Sequence, residues 1–192
     1  MKSALLGVAL CAIGGVVFWA KPQPVMPSPP GLGTDPGHIR AHGPLNPVAG
    51  DKLAAFSAGC FWGVEEAFRK TPGVKSTAVG YMGGTSANPD YYKAHSDGHA
   101  ETVLVEYDPV RVSYSKLLEV FRDQHHFTGR VDPKSPYRSA IWTFDETQSK
   151  TATERMKKDL ATVRIEPMQT FYLAEEEHQQ YDEKADVRSC QP

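Results

Sequence analysis

A chain of 192 residues with a net charge of −2 is long enough for one domain with its own core, and it offers no positive field to hold nucleic acid. Three cysteines are too few for a disulfide scaffold, and without a CxxC pair they suggest neither a zinc ribbon nor a thioredoxin-like motif. No nucleotide, flavin or haem motif is present.

In chain order, Ser3–Ala20 is almost wholly apolar between Lys2 and Lys21, at the lower edge of the roughly 17–25 residues that cross a bilayer. Residues 1–20 therefore read as an export segment, either an uncleaved anchor or a cleaved signal peptide. Lys2 ahead of the apolar run favours a domain outside the cytoplasm, tied to the membrane through this segment. Residues 21–51 are rich in Pro and Gly without apolar periodicity and read as a spacer. His38 and His42 within it read as solvated linker residues rather than a metal pair.

The folded domain is expected over residues 52–181. Lys52–Ala58 is a short apolar run closed by glycine, hence a buried strand. Phe61, Val64, Ala67 and Phe68 repeat at helical spacing until Thr71-Pro72-Gly73. Val74–Tyr81 and Glu101–Tyr107 read as strands, and Ser113 caps a helix whose inner face carries Leu117, Leu118, Val120 and Phe121. Ser139–Phe144 is a fourth strand. Asp145 with Gln148 resembles a capping box, followed by a helix supported by the pairs Glu146–Lys150 and Glu154–Lys158. Glu166–Leu173 reads as one last short strand, and residues 182–192 as a flexible tail carrying Cys190. This order predicts an α+β domain with helices packed on a mixed sheet, a ferredoxin-like β-α-β-β-α-β core with additions.

The most informative segment is Gly59-Cys60-Phe61-Trp62-Gly63. A cysteine at a helix N-terminus meets free backbone N–H groups and the positive end of the helix dipole, which favour the reactive thiolate. The plainer reading is a small buried core residue, but the flanking glycines open space for an incoming group. Phe61 and Trp62 are core aromatics or the walls of an apolar pocket for a methyl group. Glu101 opens an apolar strand, where burial raises a carboxyl pKa; an ordinary strand-end charge is the alternative. Tyr81 and Tyr137, on pattern alone, are core or edge residues. His95, His99 and Glu101 are close enough for a loop metal site, but Asp97-Gly98 reads as a turn, and the histidines read as structural or substrate-loop residues; no metal is expected.

The blocks Gly59–Gly63, Gly80-Tyr81-Met82-Gly83-Gly84, Asn88-Pro89, Gly98-His99-Ala100-Glu101, Tyr137-Arg138-Ser139-Ala140 and His178-Gln179-Gln180-Tyr181 together resemble the signatures of the peptide methionine sulfoxide reductase A family, in that family's order. The resemblance implies reduction of the S epimer of methionine sulfoxide in oxidised proteins and peptides. It implies Cys60 as nucleophile, Glu101 as acid, Tyr81 and Tyr137 on the sulfoxide oxygen, and Phe61 and Trp62 around the methyl group. A thioredoxin-like reductant is implied, with no bound cofactor, and a monomer is expected. Two departures stand out. The loop before Tyr137 is shorter than in the family, although Asp132 falls five residues ahead of the tyrosine, where the family aspartate stands; Glu177 and Asp182 replace the outer residues of the last signature.

Once Cys60 is a sulfenic acid, a second thiol must discharge it. Cys11 lies in the export segment, which leaves Cys190 either as the resolving cysteine or as a free tail residue. Two rival functions remain: a cysteine hydrolase or acyltransferase, using His99, His125, His126 or His178 as base, and a redox sensor that forms a disulfide without turnover.

Overall fold

The central strands are buried almost without interruption because both faces of their sheet are covered. The computed structural model describes residues 46–125, 132–159 and 161–185; the export segment, most of the spacer and Cys190 lie outside them. The elements are β1 (Lys52–Ala58), α1 (Phe61–Arg69), β2 (Val74–Met82), α2 (Tyr91–Ser96), β3 (Ala100–Tyr107), α3 (Tyr114–Gln124), β4 (Ser139–Thr143), α4 (Glu146–Arg155), β5 (Arg164–Pro167), β6 (Tyr172–Leu173), a single 3₁₀ turn (Glu176–His178) and α5 (Tyr181–Ala185). The sheet runs β5-β4-β1-β3-β2-β6. β3 is antiparallel to both β1 and β2, β4 is antiparallel to β1, and only β4 and β5 pair in parallel. Its four central strands, in the order β4-β1-β3-β2, are the expected ferredoxin-like core, within the expected mixed sheet.

Period-two alternation sorts the strands between two cores. Ala54 and Phe56 of β1, Val79 and Tyr81 of β2, Val103 and Val105 of β3 and Ile141 of β4 face the helices. There they meet Phe61, Val64 and Phe68 of α1 and Leu117, Leu118 and Phe121 of α3. Phe56 stacks on Phe68 at 4.8 Å and lies 5.7 Å from Phe121. Removing any one of these three rings is expected to cost about 3–5 kcal/mol. The opposite face carries Ala55, Ala78, Leu104 and Trp142, and Phe171 covers it.

Phe171 belongs to a stretch the sequence misplaces; α2 is not foreseen either, and α5 runs into residues read as the start of a flexible tail. The expected single strand over Glu166–Leu173 is two strands on opposite edges: β5 beside β4, and β6 antiparallel to β2. Proline at 167 ends β5, and the chain crosses beneath the sheet to reach β6. Five residue steps reach at most about 18 Å, whereas five inter-strand spacings of a flat sheet are about 24 Å. The sheet is therefore coiled toward this crossing, which tightens Phe171 against its second face.

The caps follow the sequence, with one change. Ser113 accepts from Lys116 N, and Asp145 accepts from Gln148 N at 2.7 Å. Gln148 does not reach back to Asp145. Its Oε1 accepts from Phe144 N at 3.0 Å and its Nε2 donates to Leu53 O at 2.7 Å, tying α4 to β1. The Glu146–Lys150 pair forms at 2.8 Å. Among the described residues no helix is long and apolar enough to cross a membrane.

Candidate active site

β1 leaves the sheet at Gly59, whose φ of +107° is a conformation that side chains strain to adopt. That turn sets Cys60, a partly buried cysteine, at the N-cap of α1. The next amide is already taken: Phe61 N donates to Glu101 Oε2 at 2.9 Å. The carboxyl of Glu101 is thereby fixed beside the cysteine's own backbone.

Glu101 stands at the start of β3, 2 % exposed and directly opposite Tyr81 of β2. Its other oxygen meets His95 Nε2 at 2.9 Å. Burial raises the Glu101 pKa, against the opposing pull of the Phe61 N–H and of His95. A carboxyl in this setting can retain a proton that an exposed glutamate would have lost. The backbone N–H of Glu101 donates to Pro136 O at 2.8 Å, which ties the loop bearing Tyr137 to the same strand.

The two tyrosines differ. Tyr81 is wholly buried, its ring 5.9 Å from that of Phe61, and its hydroxyl donates to Glu175 Oε2 at 2.8 Å. Tyr137 is 47 % exposed, lies edge-on to His95 at 5.6 Å and is hydrogen-bonded to Tyr91. Burial and nearby negative charge push both phenols up: Glu175 and Glu101 act on Tyr81, and Glu101 and Cys60 act on Tyr137. Both stay protonated, as donors.

Aromatic rings gather beside these groups. Trp62 stacks on Tyr181 at 3.9 Å and faces His178 at 5.8 Å, and His178 lies 5.7 Å from Phe61 and 4.8 Å from Tyr91. Burial lowers the His178 pKa, so the ring is neutral at neutral pH and suits an apolar wall. The block His178-Gln179-Gln180-Tyr181 is held by its own polar atoms. Gln179 accepts from Val79 N and donates to Val79 O and Ala174 O, imitating a further strand beside β2; Gln180 N donates to the buried Glu65 at 2.7 Å.

The structure thus brings together Cys60, Glu101, Tyr81, Tyr137, Phe61 and Trp62. It does not bring in Asp132. That side chain is exposed, accepts from Lys134 N at 2.9 Å and takes no part in the contacts above. Cys190 lies outside the described residues. His95 joins the site through Glu101, while His99 turns away to Gly84 N and Ser86. A β-carbon on Gly84 would lie 2.1 Å from the His99 ring, so the second glycine of that block is needed for close approach. Among the described residues no group of three or more His, Cys, Asp or Glu is placed to hold a metal ion. Tyr91 and Glu175 were not singled out in the sequence, and they are the residues that join the tyrosines to α2.

A cysteine at a helix N-terminus, a buried carboxyl whose pKa burial raises and two phenols thus lie together beside a wall of aromatic rings. The arrangement can protonate and receive an oxygen atom carried on a small apolar group.

The model of the family described as peptide methionine sulfoxide reductase matches residues 52–192. The chain belongs to the peptide methionine sulfoxide reductase family. A relative from Methanoculleus marisnigri, named peptide methionine sulfoxide reductase MsrA, is 46% identical over 152 residues, covering 71% of this chain and 92% of the relative. One from Nostoc sp., MsrA 1, is 49% identical over 146 residues, covering 68% of this chain and 89% of the relative. Among solved structures, methionine sulfoxide reductase A of Corynebacterium diphtheriae is similar with a TM-score of 0.67 and 33% identity, over 74% of this chain and 79% of that one. Three of the blocks read from the sequence have physical roles here: Gly59 makes the turn, Gly84 allows the close approach of His99, and His178–Tyr181 forms the arm.

Proposed function

We propose that this chain reduces methionine (S)-sulfoxide in oxidised proteins and peptides to methionine, with Cys60 as nucleophile and Glu101 as acid. The observation that carries the reading is the Phe61 N–H to Glu101 hydrogen bond, which sets a buried proton donor beside the nucleophile's backbone. The Cys60 thiolate attacks the sulfoxide sulfur, the S–O bond breaks, and the oxygen takes the Glu101 proton and ends on Cys60 as a sulfenic acid. The methionine sulfur gains two electrons, the cysteine sulfur loses two, and Glu101 is left as a carboxylate. Phe61 and Trp62 hold the methyl group, and Tyr137 donates to the oxygen.

Cys190 then condenses with the sulfenic acid, releasing water and leaving a Cys60–Cys190 disulfide that a thioredoxin-like dithiol reduces. No prosthetic group is required, because the electrons come from thiols. The protein works as a monomer, exported or membrane-anchored through residues 1–20, with its domain outside the cytoplasm; Lys2 and the apolar run support this placement. Protease treatment of spheroplasts checks it, since an outward domain is digested before the inner membrane is broken.

The hydrolase reading finds little support in His99, whose two nitrogens bond Gly84 and Ser86, or in His125, whose Nδ1 bonds Ser139. His178 stands in the aromatic wall against Trp62 and Tyr91, and the assay below decides its case. The deciding experiment is an assay with separated sulfoxide epimers and dithiothreitol. Repeated turnover of the S epimer alone is expected. Turnover of neither epimer rejects the reading, and a single equivalent of product means a sensor rather than a catalyst.

A further inference from the structure

We propose that Glu175 is a positioning residue that decides where the Tyr81 hydroxyl proton points, and so whether Tyr81 can donate to the sulfoxide oxygen. This deepens the reductase reading and rests on it for its kinetic consequences only.

Glu175 is held from both sides. β6 pairs Leu173 with Gly80, Ala174 N donates to Val79 O at 3.0 Å, and Gln179 Nε2 donates to Ala174 O at 2.9 Å. Its two carboxylate oxygens then take two different donors. Oε1 accepts from Tyr91 N at 2.9 Å, and Oε2 accepts from Tyr81 Oη at 2.8 Å. Tyr91 is the first residue of α2, so its amide has no partner within the helix; Asp90 serves the amide of Lys93 instead. Glu175 therefore anchors α2. That helix presents the Tyr91 side chain to Tyr137 and His95 to Glu101.

A phenol has one proton. Given to Glu175, it is withheld from a substrate oxygen, and Tyr81 then faces the site as an acceptor. A sulfoxide oxygen is also an acceptor, so the two cannot bond until the Tyr81 proton turns. Glu175 competes with the substrate for that proton while holding the ring and α2 in place.

Glu175→Gln separates these roles because its amide orientation is forced. The Tyr91 N–H needs an acceptor, so the amide oxygen must face it. The NH₂ then faces the Tyr81 phenol oxygen, which becomes an acceptor, and its own proton is freed toward the site. E175Q is expected to lower KM for the sulfoxide by about two- to tenfold, the worth of one net hydrogen bond, with the single-turnover rate unchanged or higher. E175A loses both bonds and is expected to raise KM and to lower the rate.

The test is a cycle of E175Q, Y81F and the double variant in single-turnover reduction, with carbon-13 labelling at tyrosine Cζ as a readout independent of turnover. The Tyr81 signal, assigned by its loss in Y81F, is expected to move in E175Q as the phenol passes from donor to acceptor. The E175Q effect on KM is expected to vanish in the Y81F background. An unmoved Tyr81 signal overturns the proposal whether or not the protein turns over. So does an E175Q variant that behaves like E175A, or a KM effect that survives in Y81F. Wild-type protein inactive on the S epimer, with the signal shifting as expected, rejects the reductase reading alone.

Discussion

Cys60, Tyr81 and Glu101 stand at the ends of β1, β2 and β3, where each is fixed by a paired strand or by the first turn of α1. Tyr91, Tyr137, His178 and Tyr181 stand instead on a six-residue helix, a loop and the C-terminal arm. The first group is largely buried, with Glu101 at 2 % and Tyr81 at 0 % exposure, whereas Tyr137 is 47 % exposed. The sheet fixes the groups proposed to react with main-chain ladders that resist displacement. The arm and loops are held largely by side-chain hydrogen bonds and ring stacks, each worth about 0.5–1.5 kcal/mol, with fewer main-chain ties. Damage to the sheet-borne group should therefore appear in the chemical step, and damage to the arm in substrate capture.

The largest break in that contrast is Cys60→Ser. Loss of the thiol is expected to reduce turnover to background, while the melting temperature stays within a degree or two, since Cys60 makes no cap bond. Activity with dithiothreitol and a thermal melt check both halves; residual turnover near wild type removes Cys60 as nucleophile.

Next is Glu101→Gln, expected to slow single-turnover reduction by about 10²–10⁴-fold with a smaller change in binding, because the amide oxygen can still accept the Phe61 N–H. The same residue links rate to stability. Burial raises its pKa, so its contribution to stability is complete below the ordinary carboxyl pKa and is lost as pH rises through the folded value. Wild-type reduction should fall over that upper range as the proton leaves. E101Q has no proton to lose, and its unfolding free energy, measured by urea at a series of pH values, is expected to decline less than that of wild type. Equal declines in the two proteins contradict the burial argument.

Tyr181→Ala sharpens the other side. It removes the ring stacked on Trp62 at 3.9 Å, and KM is expected to rise about three- to tenfold with the saturated single-turnover rate within twofold. A fall in rate with KM unmoved would mean that the arm takes part in the chemistry.

How much of this was legible follows from the same contrast. The strand, glycine, cysteine and helix order around Cys60 is written in local periodicity and turn chemistry, and the caps at Ser113 and Asp145 are short-range signals. Glu175 was not legible, because it opens a run of three glutamates and nothing in their order says which one turns inward. α2 escaped because fewer than two turns, with only Ala94 buried, carry no readable apolar stripe. The split of residues 164–173 into β5 and β6 was hidden for a different reason. Both pieces have strand-like composition, and their partners lie about 20 and 90 residues away in the sequence, so only the closed sheet says which edge each one joins. For Asp132 the spacing to Tyr137 could be read from the sequence, but the side chain's direction could not.

The smallest expected effect is at Asp132, and it tests the contrast from outside. The residue falls at the family aspartate's distance from Tyr137, yet its carboxylate is exposed and accepts from Lys134 N, forming the turn that leads to Ser135 and Tyr137. An Asx-type turn on an exposed loop is worth little, because water replaces the lost acceptor and the other bonds of the loop remain. Those bonds do not involve Asp132: Arg138 donates to Gly98 O and Ser135 O, and Glu101 N donates to Pro136 O, so Tyr137 is placed from the strand side. Asp132→Ala is accordingly expected to change unfolding free energy by less than about 0.5 kcal/mol and turnover by less than about threefold, a change that steady-state kinetics and a urea melt resolve together. Asp132→Asn, which keeps the acceptor for Lys134 N, should be closer still to wild type. A hundredfold loss in Asp132→Ala that Asp132→Asn does not rescue would show that the carboxylate charge acts on the Tyr137 side of the site, and that this exposed loop belongs with the chemistry rather than with the wall.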